Sequence, residues 1–372
     1  MSAARGTVFH GALLLAAAAL GACAGPLTPT GDEAIGALPA RVVAPAESPA
    51  TPERVALGRL LFWDPILSGD RDVACATCHH PDFDYADGRA RSLGAGGRGL
   101  GPRRGSFTGF AREVPRNAPT VLDAAWNGLA TVGATYDPAR APMFWDNRAR
   151  SLEAQAEGPL LAAAEMRGHA VAEGALFETL VARLDAIPEY RARFTAAFGS
   201  AGIDRRRITQ AIASFERTLV MPDTSFDRFM AGDDGALDAA QKRGLIAFYD
   251  AGCAGCHAGP MFSDFKIHRL GVTERDPATG AARDGFRTPS LRHVTRTGPY
   301  MHDGSVATLP EVMAFYVGLD RTLDPALAGL QPVSGRQGEE IIRFLEALGD
   351  GTVDRAIPAR VPSGLPVGGA LE

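Results

Sequence analysis

Apolar residues recur along most of this chain at intervals of three and four, the spacing that gathers them on one face of an α-helix. The pattern is clearest in "ALFETLVARL" (175–184), "ITQAIASFERTLV" (208–220), "LPEVMAFYVGL" (309–319) and "EEIIRFLEAL" (339–348). Strict alternation, the mark of a half-buried strand, is scarce. Two segments repeat one another: "GRLLFWD" (58–64) and "GLIAFYD" (244–250) each end an amphipathic helix with an aromatic pair and an Asp. The pattern predicts an all-α chain with long loops, built from two related modules. Folded structure is expected to begin at Thr51-Pro52-Glu53, a helix-start signal.

The unpatterned stretches set the boundaries. Residues 24–50, "AGPLTPTGDEAIGALPARVVAPAESPA", are rich in Pro, Ala and Gly, so 23–50 reads as a flexible tether. Residues 221–237 read as the connection between modules. An N-terminal domain at 51–230 and a C-terminal domain at 231–352 follow, with a tail at 353–372. The Gly/Arg-rich stretch "LGAGGRGLGPRRGSFTG" (93–109) is expected to be a disordered insertion, with a docking surface as the alternative.

The N-terminus changes the picture of where the protein resides. In "ARGTVFHGALLLAAAALGAC" one Arg precedes an apolar run from Gly11 to Leu20. That run is too short to span a bilayer core but suits the h-region of a signal peptide. Leu20-Gly21-Ala22-Cys23 resembles the lipobox of bacterial lipoproteins. Residues 1–22 therefore read as a lipoprotein-type signal peptide and Cys23 as the acylated residue, with ordinary secretion as the alternative. A periplasmic chain lipid-anchored at the outer membrane is expected. The balance of 38 basic and 43 acidic residues shows no nucleic-acid footprint.

Setting Cys23 aside, the other four cysteines form two Cys-x-x-Cys pairs, Cys75/Cys78 and Cys253/Cys256. Disulfides are the ordinary expectation outside the cytoplasm. Each pair, however, runs directly into a histidine: "CATCH" at 75–79 and "CAGCH" at 253–257. Cys-x-x-Cys-His is the attachment signature of c-type haem, with thiols at i and i+3 on one face of a helical turn. His79 and His257 then become axial ligands, and His80 a polar neighbour. A four-thiolate zinc site is the competing reading, but the pairs lie far apart in the chain and zinc gives no reason for the two histidines. Two covalent haems are expected.

The sixth position on each iron decides function: an electron carrier fills both, an enzyme leaves one open. No histidine occurs between His80 and Glu165.

"MFWDNRARSLEAQAEGPLLAAAEM" (143–166) and "FRTPSLRHVTRTGPYMHDGSVATLPEVMAFYVG" (286–318), with both haem motifs, resemble the bacterial di-haem cytochrome c peroxidase and MauG family. The resemblance runs from about Val55 to Gly318. It implies two cytochrome c-like haem domains, with hydrogen peroxide reacting at the N-terminal haem and the C-terminal haem storing or delivering electrons. It implies further that Trp145 mediates electron transfer between the haems, and that Gln155, Pro159 and Glu165 line the peroxide pocket. Asn117, with the carbonyls of Thr297 and Pro299, would hold a calcium ion. His268 and His302 are expected as structural or propionate contacts. The chemistry agrees in part, because cleaving peroxide requires a proton to move between its oxygens and a carboxylate can carry it. Calcium, for its part, prefers oxygen ligands.

Three departures qualify the resemblance. Typical members cap the C-terminal haem with a Met where this chain has Tyr316, as MauG does; Met313, one turn earlier on nearly the same face, is the competing ligand. Many members carry a His after the first motif that caps the peroxidatic iron, and its absence here implies an open haem. MauG has a surface Trp two residues before its second motif, where this chain has Ala251. The expected function is a di-haem peroxidase drawing electrons from a small periplasmic cytochrome c or cupredoxin. The alternatives are a MauG-like enzyme that oxidises side chains of a partner protein, and a pure electron-transfer di-haem cytochrome.

Overall fold

Two helix crossings organise the chain, and each is built on a glycine of the sequence repeat. In the computed structural model, which describes residues 33–106, 109, 111–275 and 282–372, ten helices follow in order. They are α1 (Pro52–Trp63), α2 (Cys75–Cys78), α3 (Leu152–Leu161), α4 (Leu176–Asp185), α5 (Pro188–Phe198), α6 (Arg205–Glu216), α7 (Ser225–Met230), α8 (Ala239–Asp250), α9 (Leu309–Val317) and α10 (Gly335–Glu346). Helix α1 crosses α6, and α8 crosses α10. A Cβ on Gly58 would lie 1.8 Å from the carbonyl oxygen of Ala211, and one on Gly244 would lie 1.9 Å from that of Glu340. Only a hydrogen atom fits between the backbones. One turn further along, Phe62 meets Phe215 edge-on with ring centroids 5.2 Å apart, and Phe248 meets Phe344 in the same way at 5.6 Å. The two modules expected from the repeat therefore share one crossing geometry.

Local signals set the helix starts. Thr51 caps α1 by accepting the Arg54 N–H, with Pro52 at the first helical position. Asp238 and Gln241 form a capping box at the start of α8. The N-terminal core joins α1, α4, α5 and α6 through Leu61, Leu180, Phe194 and Ile212. The C-terminal core joins α7, α8 and α10 through Phe226, Phe248 and Phe344.

The expected domain spans need correction at three places. Helix α7 belongs to the C-terminal core, because Phe226 packs 5.1 Å from Phe262 and Arg292 grips Asp227 with two 2.9 Å hydrogen bonds. The boundary thus falls before α7 and not at 230/231. Residues 33–50 are no flexible tether. Ile35 pairs with Gly259 and is buried in the C-terminal core, while the Leu38 N–H donates to Asp227 at 2.9 Å. The tail at 353–372 returns to the N-terminal domain, where Gly368 N–H donates to Trp63 O at 2.8 Å and Thr77 Oγ1 donates to Gly368 O at 2.7 Å. Each end of the described chain straps the opposite domain. The signal-peptide reading and Cys23 lie outside the described residues, and among those described no helix is long and apolar enough to cross a membrane.

All-α is also too narrow. Two antiparallel hairpins are present: β1 (Gly97–Arg98) with β2 (Gly105–Ser106), and β3 (Ile267–Arg275) with β4 (Ala282–Arg287). Strand β3 alternates in exposure at every residue. Its inner positions mix His268 and Glu274 with Leu270 and Val272, which hides the alternation from a hydropathy reading. That inner face meets a cavity and not an apolar core. Residues 93–106 of the Gly/Arg-rich stretch carry the first hairpin and are not a disordered insertion.

Gly244→Ala is expected to destabilise the protein by about 3 kcal/mol, the upper part of the range for forcing a methyl into a packed contact. Gly335→Ala, where a Cβ would meet nothing within 4 Å, should change stability little. Denaturant unfolding of the haem-loaded proteins checks both.

Candidate active site

One cavity of about 1030 Å³ reaches both cysteine motifs, larger than an ordinary small-ligand pocket. Cys75, Cys78, Cys253 and Cys256 are all unpaired. Burial pushes the Cys78 and Cys253 thiols up to about 12, so they are neutral. A four-cysteine zinc centre is excluded, because the group at ligand spacing among the described residues is Cys256, Asp264 and His268.

The two motif histidines are held alike. His79 Nδ1 lies 3.0 Å from the carbonyl of Tyr85, and His257 Nδ1 lies 2.9 Å from that of Phe262. A carbonyl only accepts, so Nδ1 carries the hydrogen and Nε2 keeps a free electron pair. Both carbonyls come from left-handed turn residues, Tyr85 at φ 58° and Phe262 at φ 51°. His80 is built differently: it packs edge-on against Trp63 at 5.5 Å and accepts the Asp82 N–H at 3.2 Å. It is the polar neighbour expected from the sequence.

Orphaned polar atoms test whether haem fits. Arg287 lines the cavity at 8% exposure, yet its Nε and Nη1 have no partner. Burial holds its guanidinium down to about 10. A buried, unpaired cation is costly unless an anion meets it. His302, stacked flat on Phe286 at 3.5 Å, likewise has an unpartnered Nε2. Four unpaired thiols, two imidazoles with free Nε2 and an unpaired guanidinium suit two covalently attached haems with anionic propionates.

At the first motif's side of the cavity, α3 sets Gln155 and Pro159 one turn apart on a single face. Pro159 has no N–H to give the Gln155 carbonyl. A π-turn at Ala163–Arg167 follows and carries Glu165. Gln155, Pro159 and Glu165 all line the cavity. Burial raises the Glu165 carboxyl above the usual range, and the Arg148 cation partly opposes this. Trp145 lines it too, with Nε1 donating to Asn117 O at 3.0 Å and its carbonyl accepting the Arg287 N–H at 2.7 Å. Asn117, Thr297 and Pro299 also border the cavity. Asn117 Nδ2 donates to Arg89 O at 2.8 Å, which leaves Oδ1 as its free acceptor.

At the second motif, Tyr316 and Met313 both face the cavity from α9. Met313 packs against the C-terminal core, with its Cβ 3.5 Å from where a Gly338 Cβ would be. Burial pushes the Tyr316 phenol up. His268 is held between Asp264, at 2.8 Å, and Asp324, at 3.6 Å.

The sequence reading missed Arg287 and Glu216. Glu216 lines the cavity at 4% exposure with Oε2 unpartnered. Its neighbour Arg217, paired with Glu153 at 2.7 and 3.0 Å, opposes the effect of burial only in part. Burial raises the Glu216 carboxyl to about 8. A signal was present: Ile208, Ile212 and Glu216 succeed one another at four-residue steps, so a carboxyl occupies a position the helix reserves for an apolar side chain.

Two haem-attachment turns opening on one acid-lined cavity define a c-type di-haem oxidoreductase. The profile of the di-haem cytochrome c peroxidase family matches residues 52–235. The methylamine utilization protein MauG of Methylorubrum extorquens is 37% identical over 88% of this chain and 89% of its own. The cytochrome c551 peroxidase of Nitrosomonas europaea is 34% identical over 72% of this chain and 74% of its own. Among solved structures, a MauG-like protein associated with microbial copper homeostasis matches with TM-score 0.68 and 27% identity, covering 84% of this chain and 95% of that one. The chain belongs to the di-haem cytochrome c peroxidase family.

Glu216 ties stability to pH. Below its ordinary value of 4.5 both states hold the proton; between there and about 8 only the folded protein keeps it. Stability therefore falls as pH rises through that window and levels off above it. Glu216→Gln, which resembles the protonated acid, should remove on the order of 2 kcal/mol of this loss. Urea unfolding at pH 5 and pH 8 measures it, and an unchanged pH slope in the variant would contradict it.

Proposed function

We propose that the protein reduces hydrogen peroxide at the N-terminal haem site, with electrons arriving through the C-terminal one. The observation that carries this reading is the wall of Gln155, Pro159 and Glu165 on the cavity, with no histidine available to close it. Of the other cavity histidines, His257 belongs to the second motif, His268 is held by Asp264, and His302 is stacked on Phe286. Bound haem supplies redox-active iron. Gln155 offers an amide to orient peroxide, and Glu165 carries a proton from one peroxide oxygen to the other. Trp145, hydrogen-bonded to Asn117 and Arg287, is the aromatic stepping stone between the two sites. Tyr316 is the residue that would hold the second iron, since Met313 is engaged in the core.

A small periplasmic cytochrome c or cupredoxin is the electron donor in this reading. Asn117 and the carbonyls of Thr297 and Pro299 would hold a calcium ion, which would brace the loops around Trp145. Cys23 anchors the periplasmic chain to the outer membrane. Oxidation of a partner protein by the MauG route lacks its relay here, because Ala251 is 2% exposed inside the C-terminal core.

In EPR the ferric protein should show one high-spin haem that reacts with a single equivalent of peroxide; two low-spin haems inert to peroxide would sink the proposal. Glu165→Gln should slow that reaction roughly 10²- to 10⁴-fold, with haem content unchanged. Tyr316→Phe should convert the second haem to high spin, whereas Met313→Leu should leave it unaltered.

A further inference from the structure

The peroxidase reading leaves the Gly/Arg-rich stretch without a role, yet the structure lays it directly on the catalytic acid. A Cβ on Gly94 would sit 2.2 Å from the carbonyl oxygens of both Ala164 and Glu165, and 2.6 Å from Glu165 Cα. The next residue, Ala95, donates its N–H to Glu165 O at 2.8 Å. A π-turn leaves carbonyls without the usual helical partners, and this one finds its partner in the loop. The turn is gripped from a second side, where Gly69 N–H donates to Met166 O at 2.9 Å and a Cβ on Gly69 would stand 1.8 Å from Arg167 O.

Arg104 fixes the loop itself. Its guanidinium is buried at 3% exposure and donates to four backbone carbonyls: Leu93, Gly94 at 2.9 Å, and Gly99 and Ala370 at 3.0 Å. Spending a buried guanidinium on carbonyls makes a rigid knot, since its planar fork fixes all the acceptors at once. One of those acceptors belongs to the C-terminal strap. A continuous path of hydrogen bonds thus runs from Ala370 through Arg104 and Ala95 to the backbone of Glu165.

We propose that residues 93–104 are a positioning clamp for Glu165, with Gly94 as the contact and Arg104 as the lock, holding the acid toward the cavity in the resting protein. The proposal rests on the reading of Glu165 as the proton carrier. Gly94 and Arg104 touch no reacting atom; they act through Glu165.

A double-mutant cycle on haem-loaded protein tests it. Gly94→Ala and Glu165→Gln are made singly and together, with Gly174→Ala as control because a Cβ there meets nothing within 4 Å. Stopped-flow rates with hydrogen peroxide are recorded across pH, and hydrogen exchange over 163–167 is followed in the same samples. Gly94→Ala is expected to slow the reaction roughly 10- to 100-fold, the scale of an ångström-sized misplacement. It should also displace the limb of the pH profile that Glu165 sets, speed exchange over 163–167, and add nothing in the Glu165→Gln background. Equal slowing in both backgrounds, or unchanged exchange, overturns the clamp alone. A Glu165→Gln protein as fast as wild type overturns the proton-carrier reading on which the clamp depends. Should Gly94→Ala fail to load haem, Arg104→Lys, which keeps the charge but cannot reach four carbonyls, carries the same cycle with the same outcomes.

Discussion

Backbone pressed against backbone, with no side chain between, is the contact on which this structure depends. It appears first where the helices cross, at Gly58 on Ala211 and at Gly244 on Glu340. Each crossing sets the angle at which an aromatic pair closes the core, and the helix that carries the glycine precedes a haem-attachment turn in the chain. The contact recurs at the site, where Gly69 meets Arg167 and Gly94 meets Glu165. Such contacts have no soft component, because a carbonyl cannot rotate aside as a side chain can. A cavity of about 1030 Å³ deprives both domains of packing on the faces that line it.

The two halves are not independent bodies. His293 Nε2 lies 2.8 Å from Asp123 Oδ2 with both side chains buried, tying the C-terminal half to the loop before Trp145. The ends of the described chain cross over, Ile35 into the C-terminal core and Gly368 onto Trp63. Breaking such buried pairs leaves an uncompensated charge or an orphaned donor, so separating the domains exposes polar groups that have no other partners. A fixed relation between the two haem-attachment turns follows.

How much of this was legible in the sequence differs by element. The haem turns and the repeat were plain, because covalent attachment and helix crossing each demand a residue type at a fixed spacing. The helices over 175–184, 208–220, 309–319 and 339–348 followed from their apolar faces, and α4, α6, α9 and α10 lie there. Glu165 was visible only through resemblance, since its π-turn has no periodic signature. The straps escaped because Ile35, Leu38 and Val361 are isolated apolar residues among prolines and glycines, and their burial depends on distant partners. The β3–β4 hairpin escaped because its inner face serves a polar cavity. The loop at 93–106 escaped because glycines that permit contact are indistinguishable in sequence from glycines that permit disorder.

The electrostatics of the cavity follow from the same geometry. Among the described residues five carboxyls line it, and burial pushes two of them, Glu165 and Glu216, toward neutrality, but the surroundings of these two differ. Glu165 feels the Arg148 cation, which stacks over Phe144 at 3.6 Å, whereas Glu216 feels Arg217 together with the opposing Glu153 carboxylate that Arg217 pairs with. Environments that pull two acids apart divide their roles. Glu216, raised to about 8, keeps its proton through neutral pH and adds no negative charge beside the first motif, while Glu165 is the acid that the proposed function employs. Arg287, with two unpartnered guanidinium nitrogens, gives the wall a local cation. Such a wall suits anionic propionates and admits uncharged peroxide without electrostatic cost, so the element that retains the cofactor does not exclude the substrate.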